Sequence, residues 1–202
     1  MAGSAGFLTI RLAVVEARFR FDPGAVPDSL FWIGAENLAR DESSPDRLRA
    51  AVRLNPRLSS AWIALGLEAE ASGNLGEAEM DLLHAARVDH LYLPAWTLAN
   101  FYFRRGDVES FWPWARRAAK LTYDDYRPLL RTAGAVEASP GEVVARLEGG
   151  PALLRAYLDV LIGERRWDAA RDVASLLAAR RDPADRDRLA AFAEHQRSRP
   201  QP

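Results

Sequence analysis

Apolar positions along this chain return at intervals of three and four residues, with almost no sustained two-residue alternation. That period lays one apolar stripe along an α-helix, and it predicts a strand content close to nil. The pattern also repeats on a longer scale. Leu48, Ala51, Leu54 and Pro56 recur as Leu82, Ala85, Val88 and His90, then as Ala115, Ala118, Leu121 and Tyr123, a spacing of 33 to 34 residues. Ala61-Trp62 returns as Ala95-Trp96, while Gly66 and Gly73 have counterparts in Ala99 and Gly106. A period in that range marks stacked helical hairpins, each burying its apolar face only against its neighbours.

Start and stop signals divide the chain further. Ser44-Pro45 is a cap followed by a first-turn proline, and that helix runs to Asn55-Pro56. Asn74 with Glu77, and Ser139-Pro140-Gly141-Glu142, both have the spacing of a capping box. Gly73, Gly106 and Gly149 stand where a left-handed helix terminus favours glycine. The spacing predicts helices over 5–20, 28–40, 45–54, 59–72, 75–88, 93–105, 108–121, 125–135, 140–148, 151–164, 167–180 and 184–197. The short loops favour antiparallel neighbours. One domain over 1–197 is expected, with units near 28–58, 59–92, 93–123, an irregular 124–150 and 151–183, a solvating terminal helix at 184–197, and a tail at 198–202. Pro128, Gly134 and Pro140 should bend the stack or shorten its hairpin.

The residues of these units resemble the tetratricopeptide repeat family. Trp62, Leu65-Gly66, Gly73, Ala78, Leu82 and Ala85 follow the family's order closely, and Leu98-Ala99, Tyr102, Gly106, Phe111, Ala115 and Ala118 follow it more loosely. Leu154, Tyr157-Leu158, Leu161, Trp167, Ala170, Ala174 and Leu177 form a third, weaker match. The resemblance implies an all-α fold, a right-handed solenoid of helix–turn–helix hairpins whose first helices line a concave groove for a peptide or partner helix. Carried over by position, the groove residues are Ile63, Leu67 and Glu70, then Trp96, Asn100, Phe103 and Arg104, then Arg155 and Asp159. Asn100 suits a ligand backbone, and Arg104 or Arg155 a carboxylate. Two registers stay open for Trp96: matched to Trp62 it is core, and matched through the glycines it faces the groove. The chain also resembles bacterial repeat proteins of unassigned role, whose relatives often begin with a membrane anchor.

Composition narrows the function classes. The 202 residues are 49% apolar and 27% charged, with a net charge of -1, so the basic field of a nucleic-acid binder is missing. There is no cysteine, which excludes thiolate metal sites, disulfides and cysteine nucleophiles. Arg11 interrupts the apolar run from Phe7 to Val15, and Phe7, Leu8, Leu12, Val15 and Phe19 fall on one side, the pattern of an amphipathic helix and not of a secretion signal. No run of apolar residues is long enough to span a bilayer. The expectation is a chain without membrane insertion, cytoplasmic by default, or at the envelope if an anchor has been trimmed.

Catalysis finds little support. His84, His90 and His195 lack the spacing of a helical metal pair, so no metal or cofactor is expected. Asp124-Asp125 reads as a helix cap. The string Phe111-Trp112-Pro113-Trp114 is unusual, because tryptophans this close on a helix cannot both face one core. One reading buries Phe111 and one tryptophan, and another makes Trp112/Trp114 a homo-oligomer contact. The expected role is a non-enzymatic adaptor for a protein or peptide. The alternatives are a self-associating structural protein, or a small-ligand binder or enzyme using 124–150 as a pocket floor.

Overall fold

The computed structural model describes residues 44–122 and 125–197, together with Ala35 and Ala39. The helix expected at 5–20, Tyr123, Asp124 and the expected tail lie outside the described residues, as does most of the helix expected at 28–40. Ten α-helices are described from end to end: α1 (Pro45–Leu54), α2 (Ser59–Ala71), α3 (Leu75–Val88), α4 (Tyr92–Arg105), α5 (Val108–Leu121), α6 (Arg127–Val136), α7 (Pro140–Leu147), α8 (Pro151–Gly163), α9 (Trp167–Ala179) and α10 (Arg186–Arg197). A 3₁₀ turn, Pro183–Asp185, leads into α10, and no strand occurs among the described residues. The fold is all-α, and the helix boundaries follow the local start and stop signals to within two residues.

Local chemistry explains the departures. The Asp125 carboxylate accepts the Arg127 N–H at 3.0 Å and the guanidinium at 2.8 Å, which holds the chain in an Asx turn and delays α6 to Arg127. Asp182 accepts the Ala184 N–H at 3.0 Å and draws the next residues into the 3₁₀ turn. The capping box at Asn74 does not form: its side-chain amide donates to Glu77 at 2.6 Å and does not cap the helix. Ser139 does cap α7, and Asp107 caps α5 by accepting the Ser110 N–H at 3.0 Å. The left-handed residue at the end of α7 is Glu148 (φ 52°), not Gly149.

The described residues group into two compact units, one ending at Leu98 and the other beginning at Ala99. In the first, α1 packs on α2 and α2 on α3. A Cβ on Gly66 would lie 2.7 Å from Leu82 Cγ and 3.1 Å from the Ala78 carbonyl oxygen, so α2 and α3 meet at a distance only glycine allows. Ala35 joins Leu48, Ala51, Val52, Ala61 and Leu65 in one core cluster, with Trp62 packed beside it. The indole N–H of Trp62 donates to the Pro56 carbonyl at 2.9 Å, and its ring lies 4.2 Å from that of His84.

In the second unit, first helices pack on first helices and second on second: α6 on α8, α5 on α7, and α7 on α9, with α8 and α9 forming a hairpin. This nearest-neighbour arrangement is how a helical repeat buries its core. The 125–150 segment therefore joins the stack as a shortened hairpin, with α6 of 10 residues and α7 of 8. Arg116 and Lys120 of α5 reach Glu148 after α7 at 3.0 and 2.6 Å and hold its carboxyl below the usual range, the Lys120 hydrogen bond being the main cause. Phe111 and Trp112 are buried, with Arg146 over the Trp112 ring at 5.3 Å, while Trp114 is half-buried beneath Arg117. Trp112 and Trp114 thus do not share one exposed face, because residues two apart on a helix point to opposite sides.

Candidate functional site

Three hairpins turn on a residue in the left-handed region: Gly73 (φ 80°), Gly106 (φ 69°) and Arg165 (φ 59°). At each, the following residue donates its N–H to a carbonyl five positions back: Asn74 to Ala69, Asp107 to Tyr102, and Arg166 to Leu161. This shared turn sets a common register. Eight residues before it stand Leu65, Leu98 and Tyr157; seven before, Gly66, Ala99 and Leu158; five after, Ala78, Phe111 and Ala170, and all of these are buried. The glycine alignment is the one the backbone uses, and Trp96 corresponds to Ile63 and not to Trp62, whose counterpart is the buried Ala95.

In that register the residues expected in the groove fall at equivalent positions of their first helices. Ile63, Trp96 and Arg155 lie ten residues before the turn, Leu67, Asn100 and Asp159 six before, and Glu70 and Phe103 three before, followed by Arg104 at two before. Spacings of four and then three residues put each set on one side of its helix. Ile63 is buried in the core at 8% exposure, Leu67 and Phe103 are exposed at 41% and 37%, and Arg104 and Asp159 are exposed. Glu70, Trp96, Asn100 and Arg155 are half-buried. Trp96 stacks on Tyr92 with ring centroids 6.1 Å apart, and Phe103 lies 6.3 Å from Phe111.

The last hairpin differs in chemistry. The Arg155 guanidinium binds Asp185 through two contacts, at 2.5 and 3.2 Å, and Asp182 at 2.8 Å. The Asp185 side chain is 1% exposed, and the Arg155 hydrogen bond holds its carboxyl below the usual range. Asp159 pairs with Arg188. These two pairs tie α8 to the 3₁₀ turn and α10. Beside them lies an open cleft of about 470 Å³ lined by Asp159, Ile162, Arg188, Ala191, Phe192 and His195. The His195 ring stacks on Trp167 at 4.9 Å. Asp185, Arg188 and His195 carry no short-range sequence signal, since their partners lie 28 to 30 residues away.

Charge also divides the chain. The first 98 residues carry 9 basic and 13 acidic side chains, and the remaining 104 carry 18 and 15. Burial and the nearby Glu77 push the Asp81 carboxyl up to about 6, against the opposing pull of His84 and Arg49. Among the described residues, no three histidine, aspartate or glutamate side chains gather to hold a metal, and no helix is long and apolar enough to cross a membrane.

No protein-family model and no curated protein matches the chain. Among solved structures it is similar to one described as the functional characterization of Pseudomonas aeruginosa PilF, at 19% identity and a TM-score of 0.47, over 81% of this chain and 82% of that one.

Proposed function

We propose that this chain is a non-enzymatic adaptor whose first-helix stripes receive a peptide or partner helix. The observation that supports the reading is the recurrence of one stripe at two equivalent positions of three hairpins and a third position of two of them, incompletely buried at most of these, on a backbone that repeats. A fold whose core needs one side of each helix leaves the other side open to variation, and that is where a binding surface costs least stability. Leu67, Trp96 and Phe103 supply apolar contact, and aromatic anchors of this kind dominate interface energies. Asn100 and Arg104 supply orientation through an amide and a guanidinium. Glu70 adds an acceptor for a ligand's N–H groups, while Asp159 acts within the protein as the partner of Arg188. Arg155 acts within the protein, orienting Asp185, and only its remaining N–H groups are left to a ligand carboxylate.

The test begins with crosslinking in the native cell and identification of the captured chain. Asn100→Ala combined with Arg104→Ala should then weaken that partner's binding about tenfold or more, with helicity and melting temperature nearly unchanged. Equal binding by the double variant would remove the stripe from the interface.

A further inference from the structure

Second helices stack in order in the second unit, α5 on α7 and α7 on α9. Among the described residues the series stops there. After α9 comes α10, held against α8 by the Arg155–Asp182/Asp185 and Asp159–Arg188 pairs, so α10 takes the place of a first helix. An open groove of about 420 Å³ runs between α9 and α10. Arg171, Ala174, Ser175 and Ala178 line it from α9, and Leu189, Phe192, Ala193, Gln196 and Arg197 from α10. Both sets follow helical spacing, so two parallel stripes frame a channel of the kind a third helix fills.

We propose that this groove receives an amphipathic helix from a partner protein, with small and apolar residues along one stripe and carboxylates along its edges. The floor is alanine, leucine and phenylalanine, which favours close approach by a helix with a small-residue stripe. The charged side chains that line the groove are both basic, Arg171 and Arg197, and the carboxylates paired with them stand outside its lining. The Gln196 side-chain nitrogen is buried and has no hydrogen-bond partner among the described residues. Among the described residues, Arg171 and Arg197 pair with exposed carboxylates one turn away, Asp168 and Glu194, which release them at little cost. The occupant continues the row begun by α5, α7 and α9. This surface is distinct from the first-helix stripe proposed above.

The probe is a fluorescent alanine–leucine helix of roughly 15 residues with glutamates along both edges, and a counterpart with lysines in their place. Anisotropy titrations of the full chain should give a Kd on the order of 10–100 µM for the glutamate peptide and none below about 1 mM for the lysine peptide. Ala178→Arg, an exposed helical position, should weaken the glutamate peptide at least tenfold, as should Ser175→Arg should the first variant misfold. Arg171→Glu with Arg197→Glu should invert the preference between the peptides. Asn100→Ala with Arg104→Ala should leave both titrations unchanged, which separates this groove from the stripe. The proposal is overturned by no binding below about 1 mM, by equal binding of the two peptides, or by an Ala178→Arg variant that binds normally. Sedimentation of the protein alone supplies a further check. A concentration-dependent dimer that Ala178→Arg dissociates would assign the groove to a second copy and also overturn it.

Discussion

The α2–α3 and α8–α9 hairpins share a backbone and reach it by different means. In the first, Gly66 allows α2 to press on Leu82, and Gly73 supplies the left-handed turn without strain. In the second, the corresponding positions hold Leu158 and Arg165. There the turn places a side chain where L-residues are disfavoured, and Tyr157 buries a hydroxyl with no partner among the described residues. Burial also pushes that phenol's pKa up. The first hairpin is specified by local chemistry, residue by residue. The second is held by its surroundings, notably the packing of α8 on α6 and the bidentate Arg155–Asp185 pair.

The largest effect should come from exchanging the two solutions at the tightest contact. Gly66→Leu, which imports the residue of α8 into α2, should cost roughly 3 kcal/mol in urea denaturation. Wild-type stability in that variant would mean that α2 and α3 can separate freely. Next comes Arg155→Ala, which leaves the Asp185 carboxylate buried and unpaired. It should lower the melting temperature by roughly 5–10 °C, and Asp185→Asn in the same background should restore part of the loss.

A smaller effect contrasts the two units through pH. The Asp185 carboxyl is depressed, so its pairing stabilises the fold above the ordinary value of 3.8 and is lost as pH falls through the lower folded value. Asp81 is raised from 3.8 to about 6, so the folded chain holds its proton more tightly. Its contribution is most favourable below 3.8 and is lost as pH rises toward 6. Asp81→Asn should therefore stabilise the protein at pH 7.5 by on the order of 1 kcal/mol after solvent screening, with the gain vanishing near pH 4. A gain independent of pH would point to a cause other than titration.

Two further changes address the second hairpin itself. Tyr157→Phe should leave the fold intact and raise stability by about 1 kcal/mol, because it deletes a desolvated hydroxyl. The smallest effect is at the turns. Arg165→Gly should stabilise by roughly 0.5–1 kcal/mol and Gly73→Ala destabilise by a similar amount, as read from denaturation midpoints. Opposite signs at these equivalent positions are the sharpest measure of the difference between the hairpins.

Much of the fold was legible because helix ends are local. Pro45 after Ser44, Pro140 after Ser139, and Gly73 and Gly106 act through the backbone within one turn, and their helices begin and end accordingly. Asn74 misled because a capping box needs a rotamer as well as a spacing, and its amide turned to Glu77. Gly149 misled because the residue before it took the left-handed conformation. The stripe positions follow from the repeat spacing, but the role of Arg155 does not. Its partners lie 27 and 30 residues away, beyond any pattern carried by one helix.

Sequence alone determined the helical period, the hairpin spacing and the small-residue contacts, because each depends on neighbours within a few turns along the chain. Tertiary structure decided the register of Trp96, the burial of Trp112, the engagement of Arg155 and Asp159, and the open groove between α9 and α10. Those depend on which helix comes to lie beside which. Packing makes that choice, and it is free to place an arginine in a left-handed turn or a carboxylate in the core when the surroundings offer enough in return.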